Sequence, residues 1–258
     1  MYIESPKNPK VQDWAALKVK KGRLGHAAYL AEGARLAEEA LQSDRLVEAL
    51  LLNAAADDDY VLLRQLAQTR KVPIHELSPQ AFATLSDTVT SQGVMAVVAI
   101  PSAPPQYPAY TLVLDGVQDP GNVGTLLRTA DAFGVTEVCC SESTADAFAP
   151  KVIRASMGGI FRVSVHRKST VRYIRDWMKA YQDGNVVITE ADGSTPCHEV
   201  PFTRPTLIVI GSEASGVSEE AKALASIRAF IPMTAQTESL NAAVAGSIVL
   251  YEAYRQRQ

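Results

Sequence analysis

The chain has 258 residues, 47% of them hydrophobic, enough for one large domain or two ordinary ones with a real core. Its net charge of -3 argues against a protein that coats nucleic acid through bulk charge. No apolar run reaches the ~18 residues that a membrane-spanning helix needs, and Cys139, Cys140 and Cys197 are too few and too poorly spaced for a disulfide framework or a four-ligand zinc site.

The stretch from Met1 to Lys7 lacks the apolar core of a secretion signal, so a cytoplasmic, non-membrane protein without a metal is expected. Residues 1–35 hold seven Lys or Arg against three acids. Lys7, Lys10, Lys18, Lys20, Lys21 and Arg23 form a basic leader of the kind that meets a polyanion. Strand-like runs follow at Ala28 to Leu30, Val47 to Leu52, Val72 to His75 and Val94 to Ile100, alternating with helical patterns at Ala34 to Leu41 and Tyr60 to Thr69. This predicts a small α/β domain over residues 1–100. Its His26 and His75 stand isolated, and Asp57-Asp58-Asp59 reads as a solvated turn or a helix start. Pro101, Pro104, Pro105 and Pro108 then exclude helix and sheet and mark residues 101–109 as a stiff linker.

Beyond the linker the alternation becomes regular. Strands are predicted near 111–115, 136–140, 162–165, 186–190, 206–210 and 228–231, and helices near 123–133, 149–157, 169–181, 218–225 and 239–256. Runs such as Leu207-Ile208-Val209-Ile210 are apolar throughout, as strands covered on both faces must be. The expected fold over residues 110–258 is therefore a Rossmann-like, mostly parallel sheet between helices, with Gly134 as a left-handed helix cap. A second basic cluster lies at residues 151–180, where Lys151, Arg154, Arg162, Arg167, Lys168, Arg172, Arg175 and Lys179 face Asp176 alone.

Three segments each follow a strand and lead towards a helix. They are Asp115 to Gly124, Ile210 to Gly216, and Ile231-Pro232-Met233 with Glu238-Ser239-Leu240-Asn241. All three belong at the C-terminal edge of the parallel sheet, where such sheets bind ligands, so they predict one site. Asp119-Pro120-Gly121-Asn122 has tight-turn chemistry, and steps of three bring Asn122, Thr125 and Arg128 together near the start of the next helix. Glu213 is a lone carboxylate in a small-residue loop that backbone can approach closely. Ser239 and Asn241 suit a helix cap. The helix they open, Ala242-Ala243-Val244-Ala245-Gly246-Ser247, carries almost no bulk, and Gly246 costs it about 1 kcal/mol relative to Ala, which implies close packing with a use. Neither the dinucleotide glycine fingerprint nor the phosphate loop fits, and no clustered metal ligands or serine elbow occur.

In order, spacing and position these segments resemble the three motifs of the SpoU class of the SPOUT superfamily, ribose 2'-O-methyltransferases of ribosomal or transfer RNA. Residues 149–159 are similar to that family's linking helix, and residues 1–100 resemble its appended substrate-binding domain, with a fold like ribosomal protein L30e. The resemblance implies a deep trefoil knot, S-adenosylmethionine held within it, and a homodimer through the C-terminal domain. It places Asn122, Arg128, Glu213, Ser239 and Asn241 in the catalytic neighbourhood. Thr189, Glu190, Ile210, Gly211, Glu213, Ile231, Met233, Ser239 and Leu240 are implied to meet the cofactor. Many relatives have a Gly in the loop where this chain has Thr234-Ala235-Gln236-Thr237; if that Gly has positive φ, Ala235 strains or shifts the loop.

The implied function is methyl transfer to a ribose 2'-hydroxyl in structured RNA, ribosomal rather than transfer RNA. Lys7, Lys10, Lys18, Lys20, Lys21, Arg23, Arg128, Lys151 and Arg154 are the expected RNA contacts. The family assigns Arg128 as base, whereas the chemistry of guanidinium favours holding phosphate and stabilising alkoxide charge. The rival is an RNA-binding or ribosome-assembly protein with the same fold and no catalysis, for which all five polar residues of the neighbourhood would have no chemical need.

Overall fold

The computed structural model describes residues 1–56, 60–234 and 239–258. They form two units, Met1–Ser102 with Phe148–Phe161, and Ala103–Ala147 with Arg162–Gln258. Asp57-Asp58-Asp59 lies outside the described residues.

The first unit runs β1 (Tyr2–Ile3), α1 (Pro9–Ala16), α2 (Lys20–His26), β2 (Ala28–Glu32), α3 (Ala34–Gln42), β3 (Val47–Asn53), α4 (Val61–Thr69), β4 (Ile74–Leu77), α5 (Pro79–Leu85) and β5 (Val94–Ala99). Its sheet has the order β1-β4-β3-β5-β2, with β5 antiparallel to both neighbours and the other pairs parallel. Leu30, Leu51, Met95 and Val97 from the strands meet Val11 and Phe82 from the helices in one core. β1, α1, α2 and α5 escape periodicity because they are so short, but two of the helices carry start signals. Pro9 follows Asn8, whose side chain accepts from Lys10 N–H, and Pro79 follows Ser78, whose hydroxyl accepts from Ala81 N–H.

The second unit opens with β6 (Tyr110–Asp115), α6 (Pro120–Ala132) and β7 (Glu137–Cys140). The chain then returns to the first unit with α7 (Pro150–Ser156) and α8 (Gly159–Arg162), where α7 packs on β2. It continues through β8 (Ser164–Arg167), α9 (Thr170–Ala180), β9 (Asn185–Thr189), β10 (Thr195–Pro196), β11 (Thr206–Gly211), α10 (Glu219–Lys222), β12 (Ile227–Phe230) and α11 (Ala242–Arg257). The seven strands are ordered β10-β12-β9-β11-β6-β7-β8, and every pairing is parallel.

Alternation along these strands separates two layers. Val113, Cys139, Val186, Ile188, Leu207 and Val209 point to one face, covered by Tyr173, Ile174 and Trp177 of α9 and Ala221 of α10. α11 packs on α6 and β11, and a Cβ added at Gly246 would lie 2.5 Å from Leu126 Cδ2 and 3.3 Å from Ile210 Cγ1. The bulk-free start of α11 is thus a close approach between helices and strand. Gly134 takes φ of +77° just past α6, as its capping role requires. Part of the proline-rich stretch is anchored rather than free. Gln106 and Tyr107 N–H donate to the Glu137 carboxylate at 2.8 and 3.2 Å, and Trp177 Nε1 donates to Pro108 O at 2.8 Å. Among the described residues no helix is long and apolar enough to cross a membrane.

Candidate active site

From β6 the chain proceeds through β7 and β8 in one direction, while β11, β9 and β12 lie on the other side. The strand order therefore reverses between β6 and β11, the kind of place near which open parallel sheets bind ligands. Asp115, the last residue of β6, is buried and organises this edge. Its Oδ1 accepts from Thr170 Oγ1 at 2.6 Å and its Oδ2 from Ser218 N–H at 2.8 Å, fastening the starts of α9 and α10 to the strand end. Asp119 caps α6 by accepting from Asn122 N–H at 2.9 Å, with Pro120 in the first helical position.

One side chain from each of the three segments then joins a hydrogen-bonded triplet. Asn122 Nδ2 donates to Glu213 Oε1, and Asn241 Nδ2 donates to Asn122 Oδ1 at 3.1 Å. Asn241 Oδ1 meanwhile caps α11, accepting from Ala243 N–H at 2.9 Å and Val244 N–H at 3.2 Å. The capping role of Asn241 and its place in the site are thus simultaneous. Asn122 presents both ends of its amide, so it fixes the separation of Glu213 and Asn241.

Beside the triplet lies a cleft of about 490 Å³ at the ends of β9, β11 and β12 and the start of α11. Thr189, Glu190, Ile210, Gly211, Glu213, Ile231, Met233, Ser239 and Leu240 all line it, as does Asn241. Small residues make the cleft possible. A Cβ at Gly211 would stand 2.1 Å from Gly216 C and 2.3 Å from Val217 N, so only glycine lets the loop fold back onto the strand end. Paired N–H···O bonds between Ser212 and Gly216, both 3.0 Å, close that loop. Residues 235–238, including Ala235 and Glu238, lie outside the described residues.

Lys222, absent from the sequence-level site, also lines the cleft. Its Nζ pairs with Glu190 Oε1 at 2.9 Å, and Arg228 Nε pairs with Glu190 Oε2 at 2.6 Å. Hydrogen bonds to Glu219 and Glu190 raise the Lys222 pKa, so this ammonium stays charged. No local pattern could show that Glu190 meets residues so far along the chain.

Arg128 is not gathered into this group. α6 begins at Pro120, three residues before the predicted start, so Arg128 sits in mid-helix, about 9 Å along the axis from Asn122 and on another side. It is exposed, does not line the cleft, and makes no hydrogen bond or ion pair among the described residues. The expected RNA cations also divide. Lys7, Lys10, Lys20, Lys21 and Lys151 are exposed. Arg23 is only 4% exposed, and its Nη1 donates to Leu17 O and Lys18 O, both at 2.8 Å, so it serves as an internal clamp rather than an RNA contact. Lys18 Nζ is engaged by Thr84 O at 3.2 Å and Ser86 O at 3.0 Å, and Arg154 by Asp87 at 3.0 Å. Among the described residues no cluster of three or more His, Cys, Asp or Glu could hold a metal ion.

A parallel sheet with a small-residue cleft at the C-terminal ends of β9, β11 and β12, and a polar triplet beside it, defines a Rossmann-like ligand-binding domain, joined here to a second α/β unit. Residues 109–251 match the SpoU rRNA methylase family, and residues 8–96 match the MRM3-like substrate-binding domain. The chain belongs to the SpoU family and is an RNA methyltransferase. It is 35% identical over 249 residues to the 23S rRNA (guanosine(2553)-2'-O)-methyltransferase RlmP of Bacillus subtilis, covering 96% of this chain and 97% of that one. Among solved structures, a putative RNA methyltransferase of the TrmH family from Porphyromonas gingivalis superposes with a TM-score of 0.84 at 37% identity, over 95% of this chain and 97% of the other. The SpoU methyltransferase AviRb from Streptomyces viridochromogenes, in complex with AdoMet, superposes with a TM-score of 0.86 at 28% identity, over 97% and 98%.

Proposed function

We propose that this methyltransferase modifies a ribose 2'-hydroxyl in structured RNA, with ribosomal RNA preferred over transfer RNA and S-adenosylmethionine as the donor. The observation that carries the reading is that the second and third segments line one cleft and the first is joined to them through the Asn122–Glu213–Asn241 triplet. The cleft fits the donor: apolar Ile210, Ile231 and Leu240 suit a flat base, glycine backbone allows close approach, and Glu190 and Ser239 offer polar groups. When bound, the donor supplies an already activated sulfonium methyl. What remains for the chain is to align the hydroxyl and accommodate its lost proton.

The triplet holds Glu213 and Asn241 at fixed positions at the wall of the cleft. Arg128, exposed and without a partner among the described residues, suits an RNA phosphate and the stabilisation of developing alkoxide charge rather than proton abstraction. The exposed Lys7, Lys10, Lys20, Lys21 and Lys151 are proposed to hold RNA backbone, which positions without reading sequence. A homodimer is supported by the exposed apolar stripe on α11, where Val244, Ile248 and Tyr251 are 48%, 37% and 53% exposed at helical spacing. The implied knot gives the close-packed start of that helix its purpose.

The test is incubation with labelled S-adenosylmethionine and deproteinised ribosomal or transfer RNA from cells lacking the protein, followed by mapping of 2'-O-methyl positions. Label at one ribosomal ribose is expected. Transfer confined to transfer RNA would overturn the preference, and RNA binding without label in either pool would overturn catalysis. Light scattering that shows a monomer at micromolar concentration would remove the dimer.

A further inference from the structure

Most cations of the 151–180 cluster are engaged inside their own unit. Arg162 pairs with Asp131 at 2.8 Å, Arg167 donates to Glu142 O and Thr144 O, and Lys168 and Lys179 both bind Asp176 at 2.9 Å. Lys151 and Arg154 belong to the first unit. Arg172 and Arg175 differ, being exposed and without a hydrogen bond or ion pair among the described residues. With Ser169, Val171, Asp176 and Lys179 they line a shallow hollow on α9. The carboxylate of Asp176 does not neutralise them, because two lysines already hold it and keep its pKa far below the usual range.

The place of this hollow is fixed by the fold. Tyr173, Ile174 and Trp177 turn the opposite face of α9 onto the sheet, so residues 172, 175 and 179 must face solvent. Thr170, two residues before Arg172, is bonded to Asp115, the strand end that opens the first segment, and Asp115 also holds Ser218 just past the second. Two exposed guanidiniums one helical turn apart, without partners among the described residues, are therefore tethered to the edge that carries the cleft. Guanidinium forks match phosphate oxygens in bidentate fashion.

We propose that Arg172 and Arg175, with Ser169 at the helix entry, form a phosphate shelf that holds the RNA backbone on the second unit. The inference rests on the RNA methyltransferase reading and adds a surface to it. The experiment compares the wild type with an R172Q/R175Q double variant, using deproteinised ribosomal RNA from cells lacking the protein as probe. Binding is followed between about 50 and 200 mM salt.

Each lost phosphate contact flattens the log–log salt dependence by roughly 0.7 to 0.9, so the double variant should lose about 1.5 in slope. Its affinity should fall at least about tenfold, while calorimetric binding of S-adenosylmethionine stays at the wild-type value. Arg204→Gln, an exposed arginine just before β11 at the other edge of the same sheet, should leave the slope unchanged. A wild-type slope in the double variant, or an equal loss per charge in Arg204→Gln, would overturn the shelf alone. Wild-type protein that binds the donor but no RNA at any salt would overturn the shelf and the functional reading together.

Discussion

In the first unit Arg23, Lys18 and Arg70 turn onto backbone carbonyls, whereas in the second Arg128, Arg172 and Arg175 stand in solvent without partners among the described residues. Arg70 alone meets carbonyls of Ala40, Leu41, Ser43 and Arg45 at 2.7 to 3.1 Å, at the end of α3. The difference follows from architecture. Short helices expose terminal carbonyls that need donors, and the first unit is built largely from helices of seven to nine residues. In the second unit Arg167 and Arg257 meet loop carbonyls, while the longer helices α6 and α9 leave Arg128, Arg172 and Arg175 without partners among the described residues. A basic count along the sequence therefore says little about which cations are available.

The largest test of this contrast is Arg128→Ala. Methyl transfer should fall about 10² to 10³-fold, as for loss of an electrostatic donor, with donor affinity unchanged by calorimetry. Arg128→Lys should keep measurable activity, and a loss as complete as in the alanine variant would argue against a purely electrostatic role. Gly211→Ala comes next. Its Cβ meets Gly216 and Val217 backbone rather than a movable side chain, so we expect a destabilisation of about 1 to 3 kcal/mol and a clear loss of donor affinity by calorimetry.

Arg23→Met examines the first unit. Leaving one buried and one partly buried carbonyl without their donor should cost about 2 kcal/mol in urea denaturation, with the RNA salt slope intact. A slope reduced by about one would make Arg23 a phosphate contact after all and erase the contrast.

The smallest effect concerns Glu137. Burial alone would raise its pKa, but the His166 ring 3.3 Å away and hydrogen bonds from Tyr173 and Gln106 N–H outweigh this and hold it below its usual 4.5. A depressed folded pKa means that the stabilisation is complete above about 4.5 and drains away as pH falls from there through the folded value. The Tm gap between wild type and Glu137→Gln should narrow below about pH 4.5; a gap that is flat in that range would remove the linkage.

The strands of the second sheet were legible because burial on both faces leaves uninterrupted apolar runs such as Leu207 to Ile210. β1 and β10, two residues each, and α1, α2 and α5 were not, since so few residues establish no period. α6 starts three residues before its predicted position because Asp119-Pro120-Gly121-Asn122 is good turn chemistry and equally good helix-start chemistry. Arg128 and Asn122 are separated for another reason: six residues of helix put about 9 Å of rise and about 240° of rotation between them. The convergence of the three segments could be read, because strand ends dictate it. The Glu190–Lys222–Arg228 cluster could not, because ion pairs between distant elements leave no local trace.

Asn241 binds the first amides of α11 with one end of its side chain and Asn122 with the other. The opening turn of the last helix therefore cannot fray without releasing Asn122 from one of its partners. Hydrogen exchange at Ala243 and Val244 should accordingly work as a gauge of site assembly, slowing when the methyl donor binds although neither amide belongs to a reacting group.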